Sequence, residues 1–406
     1  MKYIILQGDG MADYPVASLG GKTPLEAART PRMDWLARRG VFGIAHVIPE
    51  GFPPGSDVGN MSIMGYDPRR YHTGRSPLEA ASMGVALGPQ DVAFRCNLVT
   101  LSGCGSDAVM EDFTAGHIGS DEAAELIGTL AAKLGGDGIE FFPGVSYRHL
   151  MVWRGGKKDM ETTPPHDITD RPVAAYLPRG DGADRLLDLM RASEPILATH
   201  PVNRERERQG RRPATSIWLW GQGRAPALPP LRERFGITGG VISAVDIING
   251  LGSYAGLERI RVPGITGFLD TNYRGKGEYG VRSLEKNDLV FIHVEAIDEA
   301  GHMGDAGKKI QAIEDFDEKV VGTVLDGMAG RTDWRLLLMP DHPTAIALKT
   351  HVAEPVPFVL FSAAAARDNG PVRYNETDAR RTGIVVTQAY RLMEALIEGR
   401  EPWTET

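Results

Sequence analysis

Leu289-Val290-Phe291-Ile292-His293-Val294, followed by Asp298-Glu299-Ala300-Gly301-His302, is the stretch that decides the fold. A short, nearly continuous apolar run reads as a strand buried on both faces. Behind it Ile310, Ile313, Phe316, Val320, Val321 and Val324 trace the apolar stripe of a helix. The same order recurs at the start of the chain. Tyr3 to Leu6 reads as a buried strand, and Gly8-Asp9-Gly10 delivers a carboxylate at its end. Thr30-Pro31 then has the form of an N-cap with proline in the first turn, Met33 and Leu36 are three apart, and Gly40 supplies a stop. Leu336 to Met339 and Pro357 to Phe361 are two further strands. Strands alternating with helices predict an α/β core with a mainly parallel sheet between helices.

The middle of the chain is more polar and is broken by Gly-Gly, Gly-Asp-Gly and Pro-Pro pairs. Strands are still expected over Phe94–Leu101 and Tyr147–Trp153, and a helix over Glu122–Leu134. This pattern predicts a smaller inserted α+β domain over 86–195, within a core made of 1–85 and 196–406. Ser216-Ile217-Trp218-Leu219-Trp220 reads as the return to the core. A length of 406 residues fits this division, and 42% hydrophobic with 24% charged residues fits a folded chain. The net charge of −8 excludes a general nucleic-acid binder, which needs a basic face. Cys96 and Cys104 make no disulfide framework and lack zinc-knuckle spacing, which points to a reducing cytoplasm. No run approaches the ~18 apolar residues of a membrane span.

Asp, Ser and His gather directly after the expected strands. Asp9 follows the first; Asp298 and His302 follow the strand ending near Val294; Asp341-His342 follow Leu336–Met339; His351 precedes Pro357. Singly, an aspartate after a strand reads as a turn or cap residue, and a lone histidine as a hydrogen-bonded structural one. Together, four segments offering oxygen and imidazole at one edge of one sheet suit divalent cations, and a pair of such ions can clamp a phosphoryl group. Ser56, in Pro53-Pro54-Gly55-Ser56-Asp57, lies at the expected start of a helix, where a hydroxyl is either an N-cap or a nucleophile facing phosphate. Ser62 is the competing hydroxyl, expected to be a packing residue.

With Gly21-Lys22-Thr23-Pro24-Leu25, Pro54-Gly55-Ser56-Asp57, Met64-Gly65-Tyr66-Asp67-Pro68, Thr73-Gly74-Arg75, Phe94-Arg95-Cys96-Asn97, His200-Pro201-Val202-Asn203 and Pro340-Asp341-His342-Pro343-Thr344 in order, the chain resembles the archaeal-type cofactor-independent phosphoglycerate mutases of the alkaline phosphatase superfamily. The resemblance covers almost the whole chain. It implies an alkaline-phosphatase-like core and a phosphoserine intermediate on Ser56. It implies one metal held by Asp9, Ser56, Asp341 and His342 and a second by Asp298, His302 and His351, with manganese the expected ion and magnesium or zinc the alternatives. Lys276 would contact phosphate, and Arg75, Arg95 and Arg148 would grip the substrate's carboxylate or phosphate. Asn97 and His117 are further substrate candidates on the insertion, His117 as a proton shuttle. The implied partner is a small phosphorylated substrate, with no nucleic acid and no membrane; the oligomeric state stays open.

One segment departs from the family. Archaeal members carry Arg-Arg-Ala-Gly-Arg where this chain has Phe113-Thr114-Ala115-Gly116-His117. Fewer guanidiniums suit a less anionic substrate, so a homoserine kinase or a metal-dependent phosphomonoesterase on the same scaffold stands beside the mutase.

Overall fold

The computed structural model describes residues 1–103 and 105–400, so Cys104 lies outside the described residues; Cys96 is buried. Two compact units emerge, Met1–His72 with Ala227–Thr406, and Thr73–Pro226.

The first unit is built on an eight-stranded sheet in the order Glu258–Arg259, Gly239–Ile242, Leu289–Val294, Lys2–Gly8, Trp334–Met339, Val356–Ser362, Val41–Ala45, Val385–Val386. Only Val356–Ser362 runs antiparallel to its neighbours; the other pairings are parallel. The strand Lys2–Gly8 is apolar over Tyr3–Leu6, with Ile4, Ile5 and Leu6 fully buried, as a strand covered on both faces must be. Register decides where the chemistry goes. Gly8 lies opposite Val294 and Gln7 opposite Met339, so three adjacent parallel strands end level with one another. Asp9, the Glu295–Asp298 turn and Asp341-His342 therefore leave the sheet side by side. Ligands of open α/β sheets collect at this edge.

The expected stripe from Ile310 to Val324 forms one helical run, Ala306–Asp315 and Gly322–Gly327, joined by a π-helical turn over Phe316–Val321. Ile313, Phe316, Val320, Val321 and Val324 pack into the core. The helix Pro31–Arg39 starts and stops where proline and glycine mark it, but the Thr30 side chain does not cap it. Thr30 bonds Asp34 instead. The first-turn N–H groups of Met33 and Arg32 donate to the buried Asp317 carboxylate at 2.7 and 3.2 Å.

The second unit holds an antiparallel five-stranded sheet, in which Val92–Ser102 pairs with Val109–Asp112, Arg148–Trp153 and Ser216–Gly223, and Ile139–Phe142 lies outside Arg148–Trp153. Helices Ser120–Leu134 and Ala183–Ala198 pack on it. The boundaries differ from the expected 86–195. Ser216–Gly223 does not return to the parallel core, because its register Leu98↔Ile217 and Cys96↔Leu219 closes the antiparallel sheet. Helix Ser76–Ser82 packs on the same sheet, and Ser76 donates a 2.5 Å bond to the Gly221 carbonyl, which draws the residues before 86 into the second unit as well.

Candidate metal centre

Gly10 lets the ligand loops meet. It has φ +63°, and a Cβ there would lie 2.6 Å from Asp298 Oδ1 and clash with the Thr344 hydroxyl. Its N–H donates to Asp341 Oδ1 at 3.2 Å, so the loop after the first strand is fastened to the loop carrying Asp341-His342. Gly59 does the same for the helix Ser56–Ile63, since a Cβ there would come within 2.8 Å of Asp341 Cβ. Asn60 on that helix donates to Asp341 Oδ2 at 3.0 Å.

These contacts bring all six expected carboxylate and imidazole residues, and Ser56, into one linked cluster. Ser56 Oγ lies 3.4 Å from His342 Nε2, which is 3.3 Å from Asp341 Oδ2 and 3.7 Å from Asp9 Oδ1. Beside them, Asp298 faces His302 Nε2 at 3.1 Å and His351 Nε2 at 3.4 Å. The His302 and His351 Nε2 atoms are 2.9 Å apart, and the His342 and His351 rings lie 4.2 Å centre to centre. His302 Nδ1 donates to the Lys349 carbonyl at 3.0 Å, so Nε2 is the nitrogen that could exchange its proton for a cation. Ligand atoms of Asp9, Asp341 and His342, and of Asp298, His342 and His351, each converge within 4.8 Å. His342 thus stands between the two sets. Ser56 is in the first turn of its helix, with Gly55, not Ser56, at the N-cap position. Ser62 is buried and donates to the Val47 carbonyl, a packing role.

The donor set fits divalent cations. Asp9 Oδ1 is fully buried with no hydrogen-bond partner. Burial, with Asp341, Glu295 and Asp298 close by, raises the Asp9 carboxyl well above the ordinary range, the mark of negative charge without a counter-ion. Burial also pushes Asp298 up, but bonds from His302 and His351 and the nearby His342 outweigh it and hold that carboxyl well below its usual value. His302 is raised to about 9, first by its bond to Asp298. Facing imidazole nitrogens and crowded carboxylates suit an intermediate cation such as manganese or zinc.

Two residues here escaped the sequence reading. His293 Nε2 is 2.8 Å from Asp9 Oδ2, and its Nδ1 is 3.0 Å from Ser243 Oγ. Glu295, raised to about 8 by burial and then by Asp298, forms a third group with Asp9 and His293. The apolar run around His293 conceals it as a strand residue. Lys276, the expected phosphate contact, is completely buried on helix Tyr273–Ser283. Its ammonium donates to the His293 carbonyl at 2.8 Å, and burial lowers it to about 8 against the pull of Glu295.

The remaining candidates belong to the second unit. Arg95 lies 3.2 Å from Glu79 and 4.4 Å over the Trp220 ring. Burial lowers its pKa, Glu79 opposes this, and Arg75 and Arg148 add to the lowering, so three guanidiniums share one neighbourhood. Asn97 is buried, accepts from Trp220 Nε1 at 3.0 Å and donates to the Phe113 carbonyl. His117 is exposed with φ +48°. His166, absent from the sequence reading, packs edge-on against Trp220 and Phe113 and is lowered by burial and by Arg95 and Arg75, with Asp167 opposing.

A parallel-sheet α/β core whose carboxyl edge gathers Asp/His ligand sets around a helix-start serine defines an enzyme of metal-assisted chemistry. Sequence comparison makes this specific. Residues 37–203 match the family model described as 2,3-bisphosphoglycerate-independent phosphoglycerate mutase. A Geobacter sulfurreducens protein named a probable enzyme of that description is 54% identical, covering 98% of this chain and all of its own. The Methanosarcina acetivorans enzyme of that name is 50% identical with the same coverage. The chain belongs to the 2,3-bisphosphoglycerate-independent phosphoglycerate mutase family. Among solved structures, a Pyrococcus horikoshii protein matches at TM-score 0.84 and 26% identity, over 98% of this chain and 96% of its own. The cofactor-independent phosphoglycerate mutase of Thermoplasma acidophilum matches at TM-score 0.68 and 27% identity, over 98% and 99%. No helix among the described residues is long and apolar enough to cross a membrane.

Proposed function

We propose that this chain interconverts 3-phosphoglycerate and 2-phosphoglycerate through a phosphoserine on Ser56, at a site holding two divalent cations, manganese in the first instance. The observation that carries the reading is Ser56 Oγ at 3.4 Å from His342 Nε2, inside the cluster of Asp9, Asp298, His302, Asp341 and His351. The relatives' names point the same way. Asp9, Ser56, Asp341 and His342 would hold one ion, and Asp298, His302 and His351 the other. Bound there, the ions would supply Lewis acidity to phosphoryl oxygens and lower the pKa of the serine hydroxyl.

Ser56 Oγ gives up its proton and attacks phosphorus, the bond from phosphorus to the substrate's 3-oxygen breaks, and the departing alkoxide takes up a proton. The 2-hydroxyl of the retained glycerate then gives up its proton and attacks the phosphoserine, the bond from phosphorus to Ser56 Oγ breaks, and Ser56 is reprotonated. Protons and phosphate balance over the cycle. Lys276 would contact phosphate, Arg75, Arg95 and Arg148 would meet the remaining charge of the substrate, and His117 would serve as a proton shuttle. Residues 73–226 would then act as the substrate-holding lid that keeps water from the phosphoserine. The setting is glycolysis or gluconeogenesis in the cytoplasm.

Manganese-loaded protein incubated with 3-phosphoglycerate should form 2-phosphoglycerate without added bisphosphoglycerate, and full chelation should abolish it. Turnover by metal-free protein, or phosphorylation of homoserine from ATP in place of mutase activity, would overturn the assignment.

A further inference from the structure

We propose that Lys309 is a positioning residue of the metal centre, whose ammonium fixes the ligand loops relative to one another; the inference rests on the metal reading above. Lys309 lies on helix Ala306–Asp315 and is wholly buried, yet touches none of the ligands. Its three N–H groups meet three acceptors: Ala12 O at 3.1 Å, Asp13 Oδ2 at 2.7 Å and Thr344 O at 2.7 Å. The first two belong to the loop that carries Asp9, the third to the loop that carries Asp341 and His342.

Asp13 repeats the tie, since its carboxylate accepts the Ile346 N–H at 3.2 Å. Thr344 N lies 3.3 Å from both the Gly10 and Ala12 carbonyls. From Thr344 the connection reaches the second ligand set, because the Thr344 hydroxyl donates to Asp298 Oδ1 and stands 3.3 Å from His342 Nδ1. One buried cation therefore links Asp9, Asp341-His342 and Asp298, which come from three separate strands.

A buried charge is a costly way to gain stability, and an apolar side chain of similar volume is often as good. What methionine cannot do is bond two carbonyls and a carboxylate at once. Removing the ammonium leaves those acceptors unpaired in low dielectric, and the loops that carry them shift to find other donors. Groups that orient metal ligands from behind contribute on the order of 10–100-fold to metal affinity.

The test is Mn(II) binding to the full chain, followed by the loss of the free-ion signal in electron paramagnetic resonance. Lys309→Met should weaken Mn(II) binding on the order of 10–100-fold. Asp317→Ala, which removes a helix cap outside the cluster, controls for general destabilisation and should bind as the wild type does. Asp13→Asn keeps the ammonium but removes its carboxylate partner and should weaken Mn(II) binding in the same direction, so it carries the test if Lys309→Met does not fold. Wild-type affinity in folded Lys309→Met, or in Asp13→Asn where it stands in, overturns the inference alone. An equal loss in Asp317→Ala assigns the effect to loosened packing and also overturns it. No saturable binding by the wild type overturns the metal reading and this inference together.

Discussion

Ser56 and Ser62 share one helix and differ in what surrounds their hydroxyls. Ser56 faces His342, whereas Ser62 is satisfied by the Val47 carbonyl. Ser56→Ala should keep the fold and bound metal while phosphoryl transfer falls by roughly three orders of magnitude or more, and no phosphoserine should be trapped. Ser62→Ala should lose far less; the reverse ranking in a steady-state assay would move the nucleophile. Proton inventory gives a second prediction at this scale. His302 is raised to about 9, so its imidazole is protonated near pH 7 before a cation arrives, and the buried Asp9 carboxyl is shifted in the same direction. Cation binding must displace the His302 proton, and metal affinity should climb as pH rises toward 9. Titration calorimetry in buffers of different ionisation enthalpy should register net proton release at pH 7, and proton uptake or none would contradict the assignment. The clustering of the six expected residues was legible because Asp9, Asp298, His302, Asp341 and His342 follow apolar runs and His351 precedes one. His293 was not, because it lies within one, and Glu295 was not, because its meaning depends on Asp9 from 286 positions earlier in the chain.

Apolar periodicity also revealed the main core strands and several helices, and it failed where a partner distant in sequence did the work. Proline and glycine mark Pro31–Arg39, yet the local candidate cap, Thr30, turns to Asp34. The π-helical turn over Phe316–Val321 keeps Phe316, Val320 and Val321 in the core and turns Asp317 toward the start of the other helix. No pattern within Thr30–Gly40 could disclose that carboxylate. Asp317→Ala should therefore destabilise the chain by about 1–2 kcal/mol, as loss of a helix cap does, while Thr30→Ala costs less. The check is chemical denaturation of the two variants at pH 8. Burial raises Asp317 to about 6, with the Met33 and Arg32 amides pulling it back, so pH 8 keeps the carboxylate ionised. Equal losses in both variants would return the capping role to Thr30.

Across the whole molecule, the parallel core was readable from strand–helix alternation, whereas the extent of the second unit was not. Ser216–Gly223 has the apolar composition of a core strand, and only its pairing with Val92–Ser102 assigns it to the antiparallel sheet. That pairing bears on function because it places Trp220 under Arg95. Burial lowers the Arg95 pKa, Glu79 opposes this, and Arg75 and Arg148 add positive charge that works the other way. A bound carboxylate would relieve this repulsion, and a desolvated carboxylate left unpaired costs several kcal/mol. We therefore expect Arg95→Met to lower mutase activity by at least about tenfold, the equivalent of one lost charge-assisted bond, while hydrolysis of a small generic phosphate ester is spared. The ester has no carboxylate to hold and, on the proposed mechanism, would need only Ser56 and the metals. Measuring both reactions on one preparation separates the outcomes. An equal fall in both would mean that Arg95 acts on the fold or on phosphate, and substrate discrimination would then rest with the other guanidiniums or with His166.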